Sequence, residues 1–188
     1  MGRQPHARKL VAPKRRSNTG WHLGASLTDT QVGQLLETAR LNQHGHRDAT
    51  MIEMAFRHGL RAAELVDLRW DQIDFRSATL NVRRVDNGVP NTHRILSDEL
   101  RALRRLRLEQ ETKSKFVFTS QLGKPFTAAG FAKMIERAGV KAGFRLKAHP
   151  HMLRHACGYA LAKKGYDARA LQLYLGHRGA QHAQRYTG

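Results

Sequence analysis

The sequence predicts a mainly α-helical domain with a small antiparallel β-sheet, an α+β arrangement. Three observations lead there. Apolar residues recur at helical spacing along most of the chain, beginning with Val32, Leu35, Leu36 and Ala39. The pattern breaks after Trp70 and Ile73, where Thr79–Arg83 and Thr92–Leu96 read as two strands joined around Asp86-Asn87-Gly88, a strong turn signal. With 188 residues and no internal repeat or low-complexity run, the chain has enough material for one core of its own.

The elements follow in order. Residues 1–25 form a basic arm; Arg3, Arg8, Lys9, Lys14, Arg15 and Arg16 meet no acid before residue 21, so the arm is expected to be disordered. It suits DNA phosphates, although a solubilising tail has much the same composition. Residues 26–188 make the folded domain. Thr28 and Gln31 have capping-box spacing and open the first helix. A second helix is expected from about Asp48 to His58, stopped by Gly59, and a short third one from Ala62 to Leu68. Beyond the two strands, Ser97 is expected to cap a helix to about Glu111, and Phe116-Val117-Phe118 to form a short strand. Thr127 opens a helix to about Ala142. Pro150 suits the first turn of another, which runs to Lys164, and Asp167 caps one ended by Gly176. A last helix carries Tyr186.

The charge narrows the partners. Lys+Arg number 33 against 15 Asp+Glu, a formal net charge of +18. Basic groups gain by releasing counterions from a polyanion, so nucleic acid leads, ahead of a ribosome-associated or membrane-surface role. No apolar run is long enough to span a bilayer, and no apolar segment of a secretory leader follows the basic start. The reading is a soluble, cytoplasmic protein with no membrane partner. The single cysteine, Cys157, excludes an intrachain disulfide and a cysteine-rich zinc site, and its neighbours Ala156, Ala160 and Leu161 mark it as a core thiol.

The candidate site residues lie in four separated stretches. His151 and Arg154 are three apart on one helix face and can reach one site. Arg61, between a helix stop and a helix start, adds a second guanidinium, whose planar fork matches two phosphate oxygens. Read alone, Arg61 is an ordinary surface arginine paired with Glu64. His177 follows Leu175-Gly176 and by itself is a capping or surface histidine. Tyr186 by itself is a core ring. Together the order Arg61, His151, Arg154, His177, Tyr186 describes a phosphate clamp with a phenol nucleophile beside it. Glu64 is expected to orient its helix or Arg61, and His149 and His155 to cap or support the site helix. His151 and His155 also have the i,i+4 spacing of a metal pair. Arg154 between them disfavours a cation, and no glutamate follows His151 as in a metalloprotease, so no metal is assigned. Walker-type phosphate loops are absent.

Gly59-Leu60-Arg61-Ala62-Ala63-Glu64-Leu65, His151-Met152-Leu153-Arg154-His155, Leu175-Gly176-His177 and Arg185-Tyr186 stand in the order of the tyrosine recombinase (phage integrase) family. From about Leu27 to Thr187 the chain resembles this family, and within it the small DNA invertases that switch fimbrial genes. The resemblance implies the recombinase catalytic-domain fold and a site-specific recombinase. Tyr186 would be the nucleophile of a 3′-phosphotyrosine intermediate. Arg61, Arg154 and His177 would be the phosphate donors, and His151 the acid or base. It also implies duplex DNA with inverted-repeat sites, a tetramer on DNA, DNA-bending accessory proteins, a nucleoid setting, and no cofactor. Arg83, Arg84, Lys14, Arg15 and Arg16 are the expected DNA-binding residues. The pattern departs at one place. The family's hairpin lysine, which protonates the leaving 5′-oxygen, has no counterpart in Arg83-Arg84-Val85-Asp86-Asn87-Gly88. A catalytically weak or inactive DNA-binding regulator on the same fold is therefore the alternative. A relaxing topoisomerase and a helix-turn-helix factor stand further off, the last leaving the ordered site residues unexplained.

Overall fold

The computed structural model describes residues 26–85, 88–110, 114–177 and 181–187. The expected basic arm, with Lys14, Arg15 and Arg16, and the turn residues Asp86 and Asn87 lie outside the described residues. Helices dominate: α1 (Asp29–Arg40), α2 (Gly45–Arg57), α3 (Ala62–Val66), α4 (Ser97–Glu109), α5 (Ala128–Lys141), α6 (Pro150–Lys163), α7 (Ala168–Leu175) and α8 (Gln181–Gln184). Between α3 and α4 lies an antiparallel sheet in the order β1 (Ile73–Asp74), β2 (Thr79–Val82), β3 (Asn91–Arg94). Leu80 pairs with Ile73 on one side and His93 on the other.

Helix α2 is the hub and packs on α1, α4 and α6. Its Met51, Ile52, Met54 and Ala55 are fully buried, with Leu35, Leu65, Leu80, Leu103, Phe118 and Phe131 completing the main core. A smaller cluster of Cys157, Leu171, Leu175, Ala183 and Tyr186 joins α6, α7 and the end of the chain. The core reading of Cys157 thus holds. Among the described residues no helix is long and apolar enough to cross a membrane.

Local signals placed most helix ends. Thr28 closes both halves of its capping box with Gln31, Thr127 accepts from Gly130 N, and Asp167 accepts from Ala170 N. Pro150 takes the first position of α6, and Gly176 ends α7 in the left-handed region at φ 65°. Four expectations need correction. Helix α2 begins at Gly45, not Asp48. A side chain at Gly45 would collide with the Arg40 carbonyl, so glycine permits the tight turn, and buried Asp48 ties back to Asn42 at 3.0 Å. Ser97 is the first residue of α4, not its cap; Glu99 reaches back to Leu96 N at 2.9 Å instead. Phe116–Phe118 is not a strand. It makes one bridge to Arg69 and a bond from Val117 N to Leu68 O, because buried Val117 and Phe118 are anchored by packing. Finally, Tyr186 lies just past the end of the short α8, not within a helix.

Candidate active site

The Arg61 box turns on Gly59, whose φ of 57° ends α2 sharply and sends the chain into α3. Arg61 occupies the N-cap position of α3 with extended backbone. Its Nη1 lies 2.9 Å from Glu64 Oε1, and its backbone N–H donates to Glu64 Oε2 at 3.0 Å. Glu64 therefore fixes both ends of the arginine, and it does more. Oε2 also accepts from Arg84 Nη1 at 2.9 Å, Oε1 accepts from Val85 N at 3.3 Å, and Arg154 Nη1 stands 4.0 Å away. Burial alone would raise the Glu64 carboxyl; Arg84, the Arg61 N–H and Arg154 outweigh it and hold the group below the usual carboxylate range.

Arg154, on α6, is 3% exposed. Its guanidinium donates to the Gly59 carbonyl and, at 2.6 Å, to the Leu175 carbonyl. One side chain thus spans the turn before Arg61 and the turn before His177. Burial, with Arg84 and Arg61 nearby, lowers its pKa to about 10, which leaves it cationic at neutral pH. His177 is set by its own backbone, whose N–H donates to Gln172 O at 2.9 Å.

On α6, His151 and His155 stack edge to face with centroids 5.6 Å apart. Lost hydration, then the charges of Arg154, His149, Arg61 and Arg185, depress His151. Burial and neighbouring His151 bring His155 down to about 4. His155 Nδ1 lies 3.0 Å from the Tyr186 hydroxyl; a neutral ring protonated on Nε2 accepts the phenol hydrogen there. Tyr186 is buried against Gly158, its ring edge-on to Tyr159 at 5.1 Å. Burial raises the phenol to about 12. His149 sits at the N-cap of α6, but its side chain makes no cap bond. Among the described residues no three His, Cys, Asp or Glu side chains are grouped to hold a metal ion.

The site therefore brings Arg61, Arg84 and Arg154 around the Glu64 carboxylate, anchors the His177 turn to Arg154, and seats Tyr186 on the helix that carries His151. Arg83 is exposed and 3.8 Å from Asp71. Arg84 is a correction. Expected on the DNA surface, its side chain is fully buried between Glu64 and the Tyr174 carbonyl, which it reaches at 2.6 Å. Strand alternation carries that signal, since Leu80, Val82 and Arg84 share the inward face. Gly176 and Gly88 leave room for it: a side chain on either would lie 2.7 Å from an Arg84 carbon.

Arginines and histidines thus gather near a buried tyrosine. The phage integrase family model matches residues 25–188, and the chain belongs to that family. Among curated proteins it is 37% identical over 166 residues to type 1 fimbriae regulatory protein FimE of Escherichia coli K12, covering 86% of this chain and 84% of that one. FimB of the same strain is 38% identical over 165 residues, covering 86% and 82%. Tyrosine recombinase XerC of Lactobacillus delbrueckii subsp. bulgaricus is 31% identical over 147 residues, 75% of this chain and half of that one. Among solved structures, XerA recombinase superposes with a TM-score of 0.78 at 27% identity, covering 88% of this chain and 61% of that chain. XerH bound to its difH substrate, at 0.75 and 23%, shares the fold, and the chain spans half its length.

Proposed function

We propose that this protein is a site-specific DNA recombinase of the invertase type, which cuts and rejoins DNA through a 3′-phosphotyrosine. The observation that carries the reading is Arg154, whose bonds to the Gly59 and Leu175 carbonyls bind the Arg61 and His177 turns into one site on the helix that seats Tyr186. The Tyr186 oxygen attacks the scissile phosphorus as the bond to the 5′-oxygen breaks. The enzyme–phosphate ester keeps the bond energy, so neither ATP nor a metal is required for rejoining. Arg61, Arg154 and His177 stabilise charge on the nonbridging oxygens. The phenol proton passes to a neutral histidine: His155 holds it at rest and His151, one turn earlier, serves as acid or base. Glu64 and Arg84 position the guanidinia. With Arg84 committed inward, the leaving oxygen takes its proton from water or through Arg83.

The partner is duplex DNA, in keeping with the +18 charge and with relatives solved on DNA. Residues 26–188 act as the catalytic domain and the basic arm, with Lys14, Arg15 and Arg16, as a phosphate contact. Paired inverted repeats as targets, a tetramer on DNA, DNA-bending accessory proteins and a cytoplasmic, nucleoid-associated setting complete the proposal.

The test is covalent trapping on nicked duplexes from the DNA flanking the gene, resolved on a denaturing gel. Wild type should give a protein–DNA band and Tyr186→Phe none, with duplex affinity within about twofold of wild type, under 0.5 kcal/mol. An adduct that survives Tyr186→Phe removes Tyr186 as nucleophile. Tight binding without any adduct moves the reading to a DNA-binding regulator.

A further inference from the structure

A buried chain of hydrogen bonds beside the site takes no part in the chemistry above. It begins at Glu99 in α4, whose Oε1 lies 3.1 Å from His58 Nε2. His58 Nδ1 lies 3.2 Å from His93 Nδ1, and His93 Nε2 lies 3.1 Å from the Tyr174 carbonyl oxygen. Glu99, His58 and His93 are no more than 2% exposed, and the His93 ring stacks on that of Tyr174 at 3.9 Å. The residues at the two ends of this connection matter. His58 immediately precedes Gly59-Leu60-Arg61, and Tyr174 immediately precedes Leu175-Gly176-His177.

Counting protons fixes the state of the chain. Three links need three hydrogens, one each. The Tyr174 carbonyl only accepts. Glu99 also only accepts: burial would raise its carboxyl, but bonds from His58 and Leu96 N–H, with Arg57 close by, keep it below the ordinary range. All three hydrogens must then sit on four ring nitrogens. Two neutral imidazoles supply two, so one ring carries an extra proton. His93 is not that ring, because burial, then His58 and Arg84, depress it to about 3. It stays neutral, donating from Nε2 to Tyr174 and presenting a bare Nδ1 to His58.

We infer that His58 carries protons on both ring nitrogens at neutral pH, and that the unbroken chain of hydrogen bonds it makes through His93 to the Tyr174 carbonyl positions the Arg61 turn against the His177 turn. The charges around the relay are accounted for on every side. Helix α2 supplies Arg57 and Glu53, which are paired at 2.8 Å; α4 supplies Asp98, paired with Arg57, and Glu99 itself. The stretch after β2 supplies Arg84, whose Nη2 shares the Tyr174 carbonyl. Helix α7 supplies the Tyr174 hydroxyl, which donates to Arg57 O at 2.9 Å. A buried imidazolium–carboxylate pair adds little net stability against an apolar substitute, but it specifies one arrangement.

The inference is read directly by long-range 1H–15N correlation of the histidine rings in the full-length, 15N-labelled protein at pH 7.5. Wild type should show one buried ring protonated on both nitrogens, identified as His58 by its loss in His58→Gln, and His93 as the neutral Nε2–H tautomer. Glu99→Gln is the informative variant. Its amide oxygen still accepts from Leu96 N and its amide nitrogen donates to His58 Nε2, so every link is filled with two neutral rings. The extra proton should vanish while the backbone spectrum is kept. Two neutral rings in wild type, or an imidazolium that persists in Glu99→Gln, would overturn the assignment. Positioning is read by His93→Phe, which keeps a ring on Tyr174 but breaks both links. Amide exchange at Arg61 and His177 should accelerate about tenfold, the equivalent of one buried hydrogen bond. Unchanged exchange sinks the positioning role. Neither readout depends on the recombinase reading. Adduct rate does: it should fall about tenfold in His93→Phe and stay within twofold in Glu99→Gln, and absence of adduct from wild type counts against that reading alone.

Discussion

Tyr186 rests where no side chain beyond glycine fits beneath it. A methyl group at Gly158 would lie 2.6 Å from the ring, so Gly158→Ala sets two effects against each other. Alanine in mid-helix gains about 0.5–1 kcal/mol, while overpacking costs about 1–3 kcal/mol. The ring must shift, which disturbs its bond to His155. Urea denaturation should show a net loss of roughly 1–2 kcal/mol, and the adduct rate should drop about tenfold or more with duplex affinity kept. A wild-type adduct rate would mean that the phenol leaves this seat before it reacts. The sequence identified Tyr186 only through its company, since each site residue alone has an ordinary explanation. Arg84 shows the limit of residue-by-residue reading. Beside exposed Arg83 it looked like a second DNA contact, yet it is the buried partner of Glu64. His155 looked like a support for its helix, and its bond to the phenol depends on a residue 31 positions away. Proximity of that kind leaves no trace in local spacing.

At the scale of elements, legibility followed range. Thr28, Thr127 and Asp167 cap their helices through bonds spanning three residues, and such caps can be read from spacing. Thr28→Ala and Asp167→Ala should each lower unfolding free energy by about 1 kcal/mol. The Asp167 change should also loosen the turn that ends at Gly176. Chemical denaturation followed by circular dichroism measures the first effect; an unmoved midpoint would show that water replaces the cap without loss. Non-local features were misjudged. Phe116–Phe118 has the composition of a strand but only one bridging neighbour, and β1 exists because β2 pairs with it. Helix α2 starts early because Gly45 slips under the Arg40 carbonyl, a contact that no propensity encodes.

For the whole molecule, composition gave the class of partner but not the face that meets it. An excess of 18 positive charges predicts steep salt dependence. If about six phosphates are neutralised, log Kobs should fall against log salt with a slope near −5. Fluorescence anisotropy on a labelled duplex between 50 and 300 mM salt, as a roughly tenfold-affinity-per-step titration, would measure it. A slope near zero would mean that the charge serves solubility and not binding. The order of the four boxes made the family legible across residues 25–188, because sequence order survives where individual contacts are invisible.

The seat of Tyr186 bears on how such a chain can be kept in a living cell. On the proposed chemistry, a ready nucleophile on so basic a protein would endanger every stretch of chromosome it met. On that chemistry, a phenol that keeps its proton, seated on α6 and bonded to His155, would attack only once a phosphate is held beside it. Chance encounters would then leave the genome intact, and scission would wait for DNA that presents its phosphate to the ring.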